Sequence, residues 1–159
     1  MVDVQGSRAE RLDRAIRDLL SQTPEIEAAA VVSFDGLPMA AALPSGMDED
    51  RVAAMSAALL SLGERATVGL GRGELNQVFI EGEDGTVFLV SADNEAVLVA
   101  VAAKGAKTGM MLYEVKRTAA AVAAVLRDDE AEGAQEAFDA LAAMEPAGIN
   151  GSAASSTWA

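Results

Sequence analysis

The chain has 159 residues, which suits a single domain with a sizeable hydrophobic core. Its net charge of −13 argues against binding to nucleic acid or to an anionic membrane, because both attract clustered Lys and Arg side chains. The chain has no cysteine and no histidine, which excludes disulfides and thiolate sites and removes the commonest general base and transition-metal ligand.

A first helix is predicted over residues 8–21, where apolar residues recur at helical spacing between charged ones. Thr23-Pro24 ends this helix, because a proline moves the preceding residue out of helical conformation. The apolar positions of the helix are Leu12, Ile16 and Leu19 or Leu20.

A β-hairpin is predicted for residues 26–43. Residues 26–34 form its first strand, and Asp35-Gly36 predicts a tight turn because glycine accepts the positive φ that such turns need. Residues 37–43 form the return strand. Pro38 places this strand at a sheet edge or delays its start, since proline cannot donate a hydrogen bond to a neighbouring strand.

A long second helix is predicted over residues 49–70, with Asp48 as its N-cap and Gly69, Gly71 and Gly73 at its end. The inner stripe that faces the core is expected to contain Val52, Met55, Leu59, Leu62 and Ala66. A second, alanine-rich side carries Ala54, Ala57, Ala58, Ser61 and Arg65.

Three more strands and a third helix are predicted next. The strands lie at residues 75–82, 86–92 and 96–103, and hairpin-like links join them. The third helix is predicted over residues 108–126. Its inner side consists of Met111 or Leu112, Val115, Ala119, Val122 and Leu126.

The composition changes after Arg127. Residues 128–159 contain seven acidic residues and no Lys or Arg, whereas the first 127 residues hold 18 acidic and all 12 basic ones. We therefore expect a folded domain at residues 1–127 and an acidic, Gly/Ala/Ser-rich tail at 128–159. A short helix is expected at 133–144, and the tail is otherwise expected to be disordered. The residues at helical spacing in this short helix are Ala134, Phe138, Leu141 and Ala142.

The order of elements, α-β-β-α-β-β-β-α, defines the fold class. Strands linked mostly by hairpins predict one five-stranded antiparallel sheet in an α/β protein of the α+β sandwich type. The first and third helices are expected to cover one face of the sheet. The second helix crosses between the hairpin and the three-stranded meander, so we expect it on the other face.

The sequence shows no sign of a membrane-spanning or secretory segment. Charged residues interrupt the N-terminal stretch, and the longest apolar runs, at 96–103 and 119–126, are too short to span a bilayer. We therefore expect a cytoplasmic protein that does not bind membranes.

Two glycine-containing stretches have some features of phosphate-binding loops. Residues 102–116 place Lys107-Thr108 between a strand and a helix, but Ala106 and Val101 stand where the pattern needs glycines. A tight strand-to-helix turn is the better interpretation. Residues 69–73 follow a helix instead of opening one, so helix termination explains them better than a dinucleotide site. No cofactor is expected.

The sequence marks no catalytic or metal site. The acidic clusters at residues 48–50 and 81–84 lack the spacing of a calcium loop. Ser33, Ser56 and Ser61 have no histidine to activate them, which leaves only an unsupported Ser–Lys pair. We therefore expect the chain to have no enzymatic activity of its own.

The alanine-rich side of the second helix is the most informative feature of the sequence. A helix on an open sheet face needs only one buried stripe, and small side chains on a second side let two helices approach closely. We interpret this side as the contact of a symmetric homodimer, since a two-fold dimer is the commonest oligomer. The alternative is a solvated side on which alanine is simply frequent.

The order and pattern of these elements resemble the Roadblock family, which includes dynein light chains and regulators of small Ras-like GTPases such as the gliding-motility regulator. The resemblance covers the first helix and residues 28–43, 51–66 and 73–126. Its most specific parts are the strand–Asp-Gly–strand opening and the helix followed by a Gly-rich turn and a three-strand meander. No single residue is diagnostic.

The resemblance implies a homodimer formed by the second helix and the strand at 75–82, so that two five-stranded sheets join. It thereby extends the predicted interface to Gln77, Val78, Phe79 and Ile80. It also implies a Ras-like small GTPase as partner, whose GTP hydrolysis or exchange the dimer modulates by reshaping the switch regions. GTP and Mg²⁺ would then belong to the partner.

Two other functions stay open at this point. One is a scaffold or adaptor dimer, similar to a dynein light chain, that tethers proteins without changing nucleotide turnover. The other is a small-ligand sensor, which is weaker because no convergent polar residues indicate a pocket.

Overall fold

The computed structural model describes residues 6–144, and within them the predicted order of elements is confirmed. The helices are α1 (Arg8–Gln22), α2 (Glu49–Gly69) and α3 (Thr108–Ala143). The strands are β1 (Ile26–Ser33), β2 (Pro38–Ala42), β3 (Gln77–Gly82), β4 (Gly85–Ala92) and β5 (Ala96–Ala103).

The five strands form one antiparallel sheet in the order β2-β1-β5-β4-β3. β1 and β2 make the first hairpin, while β3, β4 and β5 make the meander. β5 pairs with β1 and so joins the two parts. This order leaves β2 and β3 at the edges, and Pro38 begins the edge strand β2, as its missing N–H predicts.

The hairpin turns follow the local chemistry of the sequence. Gly36 has a φ of 84°, and its N–H donates to the carbonyl oxygen of Ser33 at 3.0 Å. Between β4 and β5, Asp93 and Asn94 have φ angles of 55° and 57°. Glu95 N donates to Ala92 O at 3.3 Å, so Asp93 and Asn94 form a tight turn, and Ala92 pairs with Ala96 across a three-residue connection.

One face of the sheet packs against α1 and α3, as predicted. Burial of apolar residues at helical spacing on both helices supplies the main stabilisation of this layer. The buried residues of the two helices include Leu12, Ile16, Leu19, Met111, Val115, Ala119, Val122 and Leu126. They form one cluster with sheet residues that include Val31, Phe88 and Leu98.

α2 covers the opposite face of the sheet, but the predicted inner stripe is only partly correct. The buried residues of α2 are Ala53, Ser56 and Leu60. Among the five residues predicted to face the core, Val52 and Leu59 are half-buried and pack against the apolar cluster on this face, whereas Met55, Leu62 and Ala66 are exposed.

The close approach of α2 to the sheet explains this difference. A Cβ added to Gly63 would lie 2.9 Å from Leu75 Cδ2 and 3.0 Å from Val78 Cγ2. A gap this narrow admits only small side chains at that end of the contact, so larger apolar residues such as Leu62 point away from the sheet.

α3 extends further than predicted and ends at Ala143 instead of Leu126. Residues 127–143 are rich in Ala and Glu, which favour helix, and the one glycine among them costs only about 1 kcal/mol. By internal contacts the chain divides into two units between Leu126 and Arg127. In the second unit Phe138 and Leu141 are 65% and 69% exposed. Residues 128–132, expected to be disordered, are helical, and the disorder expected after residue 144 lies outside the described residues.

The predicted N-cap of α2 is confirmed. Asp48 Oδ1 accepts hydrogen bonds from the backbone N–H of Asp50 at 2.9 Å and of Arg51 at 3.2 Å. Asp48→Ala should therefore lower the free energy of unfolding by about 1 kcal/mol, measured by thermal unfolding with circular dichroism. Asp50→Ala removes a neighbouring carboxylate that caps nothing and should cost about 0.5 kcal/mol or less. Equal losses in the two variants would contradict a specific cap.

Candidate functional site

The outer side of α2 carries most of the predicted interface residues of this helix. Ala54, Ala58, Ser61 and Arg65 are all exposed. Ala57 is half-buried because it faces the turn between β1 and β2, where its Cβ would lie 3.7 Å from a Cβ built on Gly36. Four of the five interface residues predicted on α2 are therefore exposed and accessible to another molecule.

Two large apolar residues, which the sequence pattern assigned to the core, extend this surface. Met55 is 50% exposed and Leu62 is 61% exposed. Positions three and four apart on a helix are neighbours, so both residues align with Ala58. The narrow alanine stripe thus becomes a broader apolar surface, in which Ala58 lies between two longer side chains.

β3 contributes an open sheet edge. Within the described residues it pairs only with β4, so one edge of its backbone has no strand beside it. Gln77 and Val78 are half-buried, whereas Phe79 and Ile80 are 44% and 38% exposed. Unpaired N–H and C=O groups with exposed apolar side chains are a template for pairing with another strand.

The side chains of β3 alternate between the two faces of the sheet. Phe79 lies opposite Phe88, with ring centroids 5.6 Å apart, on the face that α1 and α3 cover. Val78 lies beside Gly63 on the α2 face. Since alternate residues share a face, Ile80 also points to the α2 side. Apolar side chains on both faces of the sheet therefore lie beside the open edge of β3.

We call the exposed outer side of α2 together with the open edge of β3 the α2–β3 surface. The contact between Gly63 and Val78 makes its two parts continuous. Its residues are Ala54, Met55, Ala58, Ser61, Leu62, Arg65, Gln77, Val78, Phe79 and Ile80.

Gln77 adds an unsatisfied polar group to this surface. Its Oε1 atom is shielded from water and has no hydrogen-bond partner among the described residues. An unpaired buried acceptor of this kind costs about 1–3 kcal/mol. Sequence reasoning selected Gln77 only through the family resemblance, because no spacing rule predicts an orphaned amide oxygen.

Two of the three serines considered as nucleophiles make local hydrogen bonds in the structure. The Ser56 hydroxyl donates to Val52 O at 2.7 Å inside α2, and Ser33 Oγ accepts from Leu37 N at 3.1 Å in the first hairpin. Across residues 6–144, no three or more Asp, Glu, His or Cys side chains are grouped so that they could hold a metal ion. No helix in this part of the chain has the length and apolarity to cross a membrane.

The two glycine-containing stretches adopt the predicted conformations. The β5–α3 connection is a short turn at residues 104–107, in which Ala106 N donates to Ala103 O at 3.3 Å. Beyond the end of α2, Gly71 and Gly73 have positive φ angles of 68° and 81°. Glycine relieves the strain of such angles, so these residues end the helix.

Comparison with known proteins gives a consistent result. The family model described as Roadblock/LC7 domain matches residues 12–102. The uncharacterized protein MJ1340 of Methanocaldococcus jannaschii is 34% identical over 114 residues, which span 72% of this chain and 98% of that protein.

Solved structures share the fold. The Roadblock/LC7 domain from Streptomyces avermitilis has a TM-score of 0.68 at 26% identity, and the match covers 72% of this chain and 97% of that one. The gliding protein MglB from Thermus thermophilus has a TM-score of 0.69 at 20% identity, with 79% and 95% of the two chains covered.

Proposed function

The chain belongs to the Roadblock/LC7 domain family, and we propose that it is a homodimeric regulator of a Ras-like small GTPase. In this proposal the chain is cytoplasmic and supplies no catalytic residue, and the partner holds GTP and Mg²⁺. The dimer binds the GTPase and changes the rate of GTP hydrolysis or nucleotide exchange.

The observation that carries the proposal is the continuity of the exposed outer side of α2 with the open edge of β3. A two-fold axis through this surface packs two copies of α2 against each other and covers Met55 and Leu62. The same axis sets the two β3 strands antiparallel, so that the two five-stranded sheets join through backbone hydrogen bonds.

The residues of the surface suit such a contact. Ala54 and Ala58 allow two helix backbones to approach, and Ser61 and Arg65 are polar groups at its rim. These features favour a second copy of this chain over a solvated surface.

Regulation of a GTPase by such a dimer is conformational. A bound protein shifts the partner's switch regions only if its affinity differs between their arrangements. A dimer that prefers the hydrolysis-competent arrangement accelerates hydrolysis, and one that prefers the nucleotide-free arrangement accelerates exchange. Neither effect needs a side chain of this protein to reach the γ-phosphate.

The test is single-turnover GTP hydrolysis by the Ras-like GTPase whose gene lies nearest to the gene of this chain, measured with and without this chain. We expect an acceleration of at least about tenfold, which corresponds to about 1.4 kcal/mol of activation free energy. Release of a fluorescent GDP analogue, measured in parallel, detects an effect on exchange.

Ala58→Arg provides the control, because it changes one exposed residue in the centre of the α2–β3 surface. If the dimer is the active species, this variant should lose the acceleration. Binding without a change in either rate would replace the proposal with the scaffold function. Absence of binding in both nucleotide states would overturn it.

A further inference from the structure

A groove lies beside the C-terminal half of α2, where this helix meets one end of the sheet. It has a volume of about 540 Å³. Besides α2, its lining comes from the residue after β1, the residues before β3, the end of β4 and the β4–β5 turn. Ser61 is the only described residue that the groove shares with the α2–β3 surface, so the two are largely distinct.

Apolar side chains form much of the groove. Leu60 is buried and belongs to the apolar cluster under α2, and the half-buried Leu75 packs against the same cluster. Phe34 and Val68 also line the groove and are 37% and 66% exposed. Exposed apolar surface at a concave site that the core holds in place is typical of a binding groove.

The charge of the groove is negative and is not compensated within it. Glu64 and Glu74 line the groove, and among the residues that the structure describes no Lys or Arg side chain does so. Neither carboxylate forms an ion pair within residues 6–144. Arg65 and Arg72 are close to them in sequence but do not line the groove. Two unpaired carboxylates beside apolar surface favour a ligand that is both cationic and apolar.

We propose that this groove binds an arginine side chain that an apolar segment of another protein presents. A guanidinium has five N–H donors and no acceptor, which suits two carboxylates and the side-chain oxygens of Ser91 and Asn94. Its flat face can stack on the ring of Phe34, and its aliphatic stem can lie against Val68 and Leu75. Lysine lacks the flat face, so arginine is the better fit.

The proposal is tested by titrating the full chain with the peptide N-acetyl-Leu-Arg-Leu-amide and recording amide chemical shifts by NMR. We expect saturable shifts at Phe34, Ser91 and Asn94, with a Kd on the order of 1 mM. The same peptide with citrulline in place of arginine keeps the shape of the side chain and loses its charge. It should bind at least about tenfold more weakly, because the two carboxylates then have no cation to pair with.

Variants of the chain locate the site. Glu64→Gln and Glu74→Gln change exposed side chains, so both variants should fold, which circular dichroism checks. Each should raise the Kd of the arginine peptide at least about threefold. Glu83→Gln is the matched control, because it removes one exposed carboxylate that does not line the groove. It should leave the Kd unchanged.

Three results would overturn the site. Shifts that stay absent or linear would mean that the groove does not hold the peptide. Equal binding of the arginine and citrulline peptides would remove the role of charge. Equal effects of Glu64→Gln, Glu74→Gln and Glu83→Gln would reduce the binding to the overall charge of the chain. The site is independent of the proposed regulation, since a GTPase effect without peptide binding would remove only the arginine site.

Discussion

Ala58→Arg should convert the proposed homodimer into folded monomers. Ala58 is exposed in the chain, so the fold itself can accept a longer side chain there. Near a two-fold axis the substitution places two guanidinium groups close together and removes them from water without a partner. We expect the dissociation constant of the dimer to rise at least about a hundredfold, or about 2.8 kcal/mol.

Sedimentation equilibrium at several protein concentrations measures this change, and circular dichroism checks that the variant is folded. Ala120→Arg is the matched control, since Ala120 is an exposed helical alanine in α3, on the other face of the sheet. It should leave the dimer intact. A dimer that survives Ala58→Arg, or that both substitutions dissociate, would place the contact elsewhere.

Hydrogen exchange separates the helix contact from the strand contact in the same experiment. If β3 strands pair across the axis, amide N–H groups that face the open edge of Gln77–Gly82 are protected in the dimer. They should exchange rapidly in Ala58→Arg. Rapid exchange in both proteins would leave α2 as the contact and exclude the joined sheet.

Local chemistry explains why so much of the fold could be predicted. Asp35-Gly36 and Asp93-Asn94 adopt the turns that their residue types favour, and these turns fix the hairpins. In α1 and in residues 108–126 of α3 most large apolar residues at helical spacing are buried, so periodicity identifies the inner sides correctly there.

The same reasoning fails in part for α2, because small residues share its inner side with Leu60. The sheet admits Ala53, Ser56 and Gly63 at the contact, and these residues carry little periodic signal. The larger apolar residues, Met55 and Leu62, give the stronger periodic signal but lie on the outer side of α2. The misassigned residues are the ones that widen the candidate dimer surface, since an apolar residue that the core does not need is available for a partner.

The remaining features depend on contacts distant in sequence. The unpaired oxygen of Gln77 follows from how separate elements surround it, and no local motif reveals this. The open edge of β3 likewise follows from the order of the whole sheet. Only the family resemblance placed β3 in the predicted interface, since the residue pattern of a strand does not show whether it lies at the edge or in the centre of the sheet.

Gly85→Ala should lower the free energy of unfolding by about 3 kcal/mol. Gly85 begins β4 with a φ of 151°, a conformation that residues with a side chain rarely adopt. A Cβ at this position would overlap the carbonyl oxygen of Ala102 in β5. Since that oxygen belongs to the backbone of a central strand, the overlap can be relieved only by moving β4 away from β5.

Thermal unfolding measures this loss, and we expect a fall in Tm on the order of 10 °C. The variants must be compared at one protein concentration, because dimer formation makes Tm depend on it. Gly82→Ala is the matched control, since Gly82 pairs with Gly85 across the same hairpin. Its added Cβ would have only Gly85 O nearby, at 3.5 Å, so the loss should stay at or below about 1 kcal/mol.

Gly85→Ala also tests how the fold is linked to the proposed dimer. Within the described residues β3 is held in the sheet through β4 alone, so a displaced β4 also moves the open edge. Gly85→Ala should therefore weaken the dimer as well as the fold. Ala58→Arg should weaken only the dimer, because it leaves the β4–β5 contact unchanged. If Gly85→Ala destabilised the fold and left the dissociation constant of the dimer unchanged, β3 would not take part in the dimer contact.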